Sequence, residues 1–290
     1  MELRVLRYFV TVAQTGNITR AAQQLHLTQP TLSRQLKELE QQLGQPLYHR
    51  SNYSVILTPA GRILYQRAMD LLELADKTLA EFDAMQAFNG GDIHIGCAES
   101  EGISLLAQVF HQLQQRYPNL RIHLYSGNAQ LVTERLEKGL LDFAVVVQMV
   151  DVTRFAAFPL PARDLWGLIL RKDSPLVAQR EIPLEQLLTL PLIVSRQGVT
   201  SEMHPWFLEN YDRLHIVATY DLLYNASLLV KEGIGCALGF DKLVDTGASS
   251  LLCFRPLTPR IESPMRLIWN KTQVLSRAAA LFVDTLQGKS

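Results

Sequence analysis

Apolar positions recur at helical spacing from the start of the chain: Leu3, Leu6, Phe9, Val10 and Ala13 share one face, and Gly16 follows as a C-terminal stop. This predicts a first amphipathic helix. A short second helix is expected over about Thr19 to Leu25, with Ala21, Ala22 and Leu25 turned inward. Thr28 then reads as an N-cap, with Pro30 in the first turn of a third helix. In that helix Leu32, Leu36, Leu39 and Leu43 form one stripe ending at Gly44, and the other face shows Gln29, Thr31, Ser33, Arg34 and Lys37.

Beyond it the pattern changes period. Leu47-Tyr48 and Val55-Ile56-Leu57 flank the polar stretch His49 to Ser54, which predicts a two-stranded wing with Arg50 at its bend. Thr58-Pro59 supplies an N-cap and a first-turn proline for a long helix running to about Phe88. Its seam is Leu64, Ala68, Leu71, Ala75, Leu79 and Phe82. A seam with no obvious partner in the chain pairs naturally with the same helix of a second subunit; the alternative is a helix lying on its own body.

Gly90-Gly91 breaks the pattern again. DIHIGCA, RIHLYSG and DFAVVVQ read as strands separated by helices over Ile103 to Tyr117 and Ala129 to Gly139. A second round follows: DLWGLILRK, PLIVSR, a helix near Glu202 to Asn210, IVATYD, a helix Leu222 to Glu232, and GCALGF. LLCFRPL and MRLIWN are further strands, and Ser276 to Gln287 is a closing helix. The alternation implies an α/β fold with a largely parallel sheet. The chain is expected to leave a first lobe near Pro161 and return near Pro264, so that two crossovers join two lobes around a cleft.

Composition sharpens this picture. At 290 residues, 48% of them hydrophobic, the chain can build more than one core. Its net charge of zero hides a polarity: residues 1–67 carry 8 Lys+Arg against 3 Asp+Glu, a net of +5, and the remainder carries 20 against 25, a net of −5. A cationic head suits a polyanion. Cys97, Cys236 and Cys253 have no CxxC spacing, which argues against a disulfide framework or a structural zinc site and points to a reducing, cytoplasmic compartment. A thiol sensor at Cys97 or Cys236 competes with the commoner reading of buried free cysteine. No apolar run approaches a membrane span, and MELRVLRYFVTVAQTG, interrupted by Arg4 and Arg7, does not read as a signal peptide.

Two short helices with alanines at their crossing, a tight turn and a second helix with a polar, cationic N-terminal half make a helix-turn-helix. Gln29 can address base edges, Thr31 a base methyl or a phosphate, and Ser33 and Arg34 phosphates or a guanine edge. With Thr19, Pro30, Lys37 and the wing residue Arg50, these are the candidate DNA-binding residues. Enzyme chemistry is not found: Gly233 to Gly239 fails the GxGxxG spacing, there is no P-loop, HExxH or GxSxG, and the seven histidines form no ligand spacing. No catalytic residue, metal or cofactor is expected; His94 and His123 read as structural or surface residues.

The stretch LRYFVTVAQTGNITRAAQQLHLTQPTLSRQLKELEQQLGQPLYHR followed by LTPAG, covering Leu3 to Gly61, resembles the LysR-type transcriptional regulators of bacteria, and the rest of the chain follows that layout. The resemblance implies a winged helix-turn-helix at 1–58, mainly α, and a linker and dimerisation helix at 59–89. It implies an α/β two-lobed effector domain of periplasmic-binding-protein type at 90–290, with lobe I at about 90–161 and 265–290 and lobe II at about 162–264. It also implies a homodimer through the linker helix, usually assembled to a homotetramer on double-stranded DNA, contact with RNA polymerase, and no membrane.

Effector contacts are expected where strands end against helix N-termini, whose free N–H groups favour anions or polar oxygens. The resemblance selects Ser100, Ser126, Asn128, Ser195 and Asn225 at such places. Arg196 would suit a carboxylate, whereas Glu99, Glu101 and Asp221 near the same mouth would repel one or prefer an amine or hydroxyls. The sequence does not identify the small-molecule effector. Two alternatives remain at this point: a DNA-binding regulator without an effector, and a cytoplasmic solute-binding protein, which would leave the cationic head unexplained.

Overall fold

The computed structural model describes residues 1–50, 54–85, 88–146, 153–196 and 205–289, and of residues 50 and 83–85 the backbone only. It divides into a unit Met1–Gln86 and a unit Ala87–Ser290, each with its own core.

In the first unit the apolar stripes predicted above face one another. Helices α1 (Leu3–Thr15), α2 (Ile18–Gln24) and α3 (Gln29–Leu43) bury Leu6, Phe9, Ala21, Leu32 and Leu36. Gly16 and Gly44 end α1 and α3 at left-handed φ values of 63° and 65°. The wing is a short antiparallel pair, β1 (Tyr48–Arg50) and β2 (Val55–Leu57). The bend itself, residues 51–53, and the Arg50 side chain lie outside what is described.

The long helix α4 (Pro59–Met85) divides the two readings of its seam. Leu64, Ala68 and Leu72 join the core of the first unit, and Arg7 on α1 forms an ion pair with Asp76. The expectation that the whole seam lacks an intrachain partner is therefore corrected for its first half. Farther along, Leu71, Leu79 and Phe82 are exposed, Leu79 by 65% and Phe82 by 64%. Phe88, expected to end this helix, belongs to the second unit, where its ring meets Tyr117 edge-on at 5.1 Å and lies under Arg277.

The second unit begins with β3 (Gly90–Cys97), α5 (Ile103–Arg116), β4 (Asn119–Ser126), α6 (Ala129–Glu137) and β5 (Phe143–Val146). A long strand β6 (Phe155–Arg171) leads to β7 (Ile182–Pro183), β8 (Leu192–Ser195), α7 (Pro205–Asn210), β9 (Ile216–Tyr220), α8 (Leu223–Lys231) and β10 (Cys236–Phe240). The chain closes with β11 (Leu252–Thr258), β12 (Glu262–Asn270) and α9 (Arg277–Leu286). The start expected for α7, residues 202–204, lies outside the described residues. Strand order is β4-β3-β5-β12-β6-β10-β8-β9, with β11 on β6 and β7.

Two expectations change here. The sheet is parallel within the β3-β4-β5 and β8-β9-β10 groups, as predicted, but β6 and β12 are antiparallel to their neighbours, because the chain must cross between lobes and return. Secondly, β6 begins at Phe155, earlier than the predicted DLWGLILRK. Pro159 and Pro161, which lack a backbone N–H, are tolerated because among the described residues this half of β6 pairs with β12 alone, leaving its other edge free of ladder bonds. β6 pairs with β12 through Leu165 and with β10 from Trp166, so the chain changes lobe a few residues after Pro161, and β12 is irregular between Pro264 and Arg266.

One glycine sets the joint between wing and long helix. A Cβ on Gly61 would stand 1.9 Å from the Leu47 carbonyl oxygen, while Thr58 Oγ1 accepts from the Gly61 N–H at 3.0 Å. Alanine favours a helix interior by about 1 kcal/mol, but here the backbones must part. Gly61→Ala is expected to lower stability by roughly 2 kcal/mol, seen as a lower urea midpoint. An unchanged midpoint would show that the joint is loose.

Candidate functional site

On α3 the caps and the exposed face are built by the same few residues. Thr28 Oγ1 accepts from the Thr31 N–H at 3.4 Å and shares a 2.8 Å hydrogen bond with Thr31 Oγ1. Gln29 Nε2 donates to Ser33 Oγ at 2.9 Å, which holds both side chains on the first turn. Pro30, Ser33, Arg34 and Lys37 follow at helical spacing on the face opposite Leu32, Leu36 and Leu39. Pro30, Arg34 and Lys37 are exposed; Arg34 is 71% exposed and pairs only distantly with Glu38, at 3.9 Å. Thr19 stands exposed on α2 beside Arg20. Sequence reasoning missed Asn17, which caps α2 by accepting from the Arg20 N–H at 3.0 Å; an Asn just before a helix was the available signal.

Such a face presents short donors and two cations to solvent while its back is locked in the core. It can lie against a duplex without rearranging the fold, and among the described residues Arg34 has no carboxylate partner closer than Glu38 at 3.9 Å.

The second group of candidates lies at strand ends in the second unit. In lobe I, β3 and β4 run in parallel register with Cys97 beside Ser126. Ser100 follows β3; its Oγ accepts from the Gly102 N–H at 3.0 Å and donates to Asp164 Oδ1 at 2.8 Å. Ser126 is exposed at the end of β4, and Asn128 Oδ1 caps α6 by accepting from the Leu131 N–H at 2.7 Å. In lobe II, Ser195 ends β8 beside Tyr220 on β9. This brings Arg196 next to Thr219, 3.4 Å from its Nε, and to Asp221, 3.9 Å from Nη1. Asn225 is exposed in the first turn of α8.

The two lobes meet through a residue that was not selected as a contact. Glu99 Oε2 accepts from the N–H of Leu223, the first residue of α8, at 3.0 Å, which joins the loop after β3 to lobe II. Asp164, on the crossing part of β6, is also new: it is 4% exposed, and its Oδ2 is buried without a hydrogen-bond partner. Burial pushes its pKa up, the Ser100 hydrogen bond opposes that, and the charge of Glu101 adds to the rise. Neither residue was legible as a contact because the partners are far away in sequence.

The remaining candidates resolve into structure. The rings of His94 and His123 stack at 4.7 Å, and His123 Nε2 lies 3.1 Å from Asp92 Oδ1, which also accepts from Arg121 Nε at 2.8 Å. Among the described residues no group of His, Cys, Asp or Glu is arranged to hold a metal ion, and no helix is long and apolar enough to cross a membrane. Burial pushes the thiols of Cys97, Cys236 and Cys253 up, so all three stay protonated near neutrality, which disfavours a reactive thiolate.

Two family models match the chain: "LysR substrate binding domain" over residues 86–290 and "Bacterial regulatory helix-turn-helix protein, lysR family" over residues 3–62. The chain is 30% identical to the Hca operon transcriptional activator HcaR of Escherichia coli, over 94% of this chain and 93% of that one. It is 27% identical to the transcriptional activator CmpR of Synechocystis sp., over 98% and 94%. Among solved structures, full-length CbnR complexed with its target DNA superposes with a TM-score of 0.78 at 20% identity, covering 100% of both chains, which shows a shared fold.

The buried Asp164 carboxyl has a consequence for stability. Its folded pKa lies above the ordinary carboxylate value, so the folded state favours the proton. The associated penalty is absent below about pH 4 and grows as pH rises through the folded value. Asp164→Asn keeps an acceptor for Ser100 and removes the charge. The variant is expected to melt higher than the native protein at neutral pH, with the difference vanishing in acid. A lower melting temperature at neutral pH would show that the ionised carboxylate is needed there.

Proposed function

The chain belongs to the LysR family of bacterial transcriptional regulators, and from that premise we propose that it reads its operator with α3, assembles through α4, and answers to a small molecule held between the lobes of its second unit. It is a DNA-binding transcriptional regulator and not an enzyme. The observation that carries the reading is the solvent face of α3, where Gln29, Pro30, Thr31, Ser33, Arg34 and Lys37 cluster at the N-terminal half of a helix whose back is anchored by the buried Leu32, Leu36 and Leu39, while Leu43, expected on the same stripe, is exposed at the helix end. Thr19 and Arg50 extend the same assignment to α2 and the wing.

Two copies pair through the exposed Leu71, Leu79 and Phe82 of α4, an apolar face that the chain's own α1 leaves uncovered. The pair places two α3 helices in successive major grooves of a dyad-related site, and a tetramer bridges two such pairs. An effector touching Ser100, Ser126 or Asn128 on one lobe and Ser195, Arg196 or Asn225 on the other biases lobe closure. That shift changes the spacing or bend of the bound DNA, and with it the contact to RNA polymerase. No resident cofactor has a role in this scheme.

Arg34→Ala is expected to weaken binding to the DNA upstream of the protein's own gene and to lower the slope of log affinity against log salt by about one. Titration by fluorescence anisotropy at several salt concentrations reads both quantities. Unchanged affinity and slope would place the DNA-reading surface elsewhere. Ser195→Ala, by contrast, is expected to leave DNA affinity intact and blunt the response to effector; loss of both would mean that Ser195 holds the fold.

A further inference from the structure

The loop after β3 reaches both lobes within two residues. Glu99 Oε2 takes the Leu223 N–H of α8, and Ser100 Oγ, one residue on, donates to Asp164 on the crossing strand β6. Helix α8 has need of an outside acceptor, because its N-cap residue Leu222 makes no side-chain cap bond. A carboxylate there also meets the positive end of the helix dipole. The same charge bears on Tyr220, whose hydroxyl donates to the Leu238 carbonyl at 2.7 Å; burial first, and Glu99 second, push that phenol's pKa up.

The consequence concerns what the cleft can accept. An effector carboxylate seeking the start of α8 would have to displace Glu99 and sit near Glu101 and Asp164. At the end of β8 in lobe II, Arg196 already faces Asp221 at 3.9 Å. Asp164 Oδ2, buried and unpartnered, is an acceptor left unmet on the strand that Ser100 contacts.

Resting on the effector reading above, we propose that Glu99 is the specificity-determining residue of the interlobe cleft: it fills from within the seat of an effector carboxylate at α8, so that the effector meets this wall with a cationic amine. Glu99 also ties the lobes together, so an effector that disturbs the loop shifts both the α8 contact and the Ser100–Asp164 contact at the crossing strand.

The test uses the full-length protein without DNA or effector and reads hydrogen exchange of the Leu223 amide and of the loop 99–102, with acetate and methylammonium as probes. In the native protein Leu223 is expected to be protected and indifferent to acetate, while methylammonium slows exchange in the loop. Glu99→Ala is expected to speed Leu223 exchange roughly ten-fold, and acetate to restore the protection by taking the vacated seat. Glu99→Gln, which keeps the shape and an acceptor, is expected to fall between the two and guards against a misfolded variant. Unchanged Leu223 exchange in Glu99→Ala, acetate protecting the native protein as well as the variant, or a loop indifferent to methylammonium would each overturn the proposal. None of these outcomes depends on DNA binding, so they leave the effector reading to its own test.

Discussion

One strand belongs to both lobes. β6 runs 17 residues, giving its first part to β12 and its last to β10 and β11, so that with its partner β12 it carries the chain across both lobes. A strand cannot slip register by one residue without turning its buried side chains outward. The register of β6 and β12 is therefore fixed on both sides of the crossing, and freedom is confined to the short crossing stretch and the irregularity between Pro264 and Arg266. Asp164 and its Ser100 contact lie on that stretch, which ties the loop after β3 to the strand that joins the lobes.

A different constraint governs the first unit. α3 must satisfy two environments at once: Leu32, Leu36 and Leu39 anchor it among α1 and α2, and the polar half of its circumference faces solvent. Anchoring matters because a surface helix that had to fold on contact with a partner would give up ordering free energy against every contact it made. The same economy appears in α4, whose first turns complete the core through Ala68 and Leu72 and whose later turns leave an apolar face outward.

What the sequence reveals and what it hides follow from range. Caps, proline positions and leucine spacing act within a few residues, so Thr28, Pro30, Gly44 and Thr58-Pro59 announce the helix-turn-helix and its long successor without tertiary information. The strands at β3, β4 and β8 to β10 are legible for the same reason, being short β-rich segments, alternating in β3 and β4 and nearly continuously apolar in β8 and β10. The first half of β6 is not, because Pro159 and Pro161 mask a strand whose free edge only the sheet order reveals. The seam of α4 is legible as apolar, but its division between α1 and solvent depends on how far α1 extends. Among the effector candidates, Ser100 and Asn128 were found as polar residues at helix starts, and both do make the local hydrogen bonds that such positions favour. Glu99 and Leu223 are 124 residues apart, and no local pattern links a carboxylate to the start of a distant helix that lacks its own cap.

The central claim is that the α3 face binds DNA and the cleft controls how it binds. Footprinting the purified protein on the DNA upstream of its own gene, with and without a pool of small metabolites, tests both parts together. The account predicts a protected region of several tens of base pairs that weakens with salt and changes length or bend when the pool is added. Failure to protect any site at low salt would contradict the DNA-reading role of α3, and protection that never changes with the pool would leave a regulator whose cleft controls nothing.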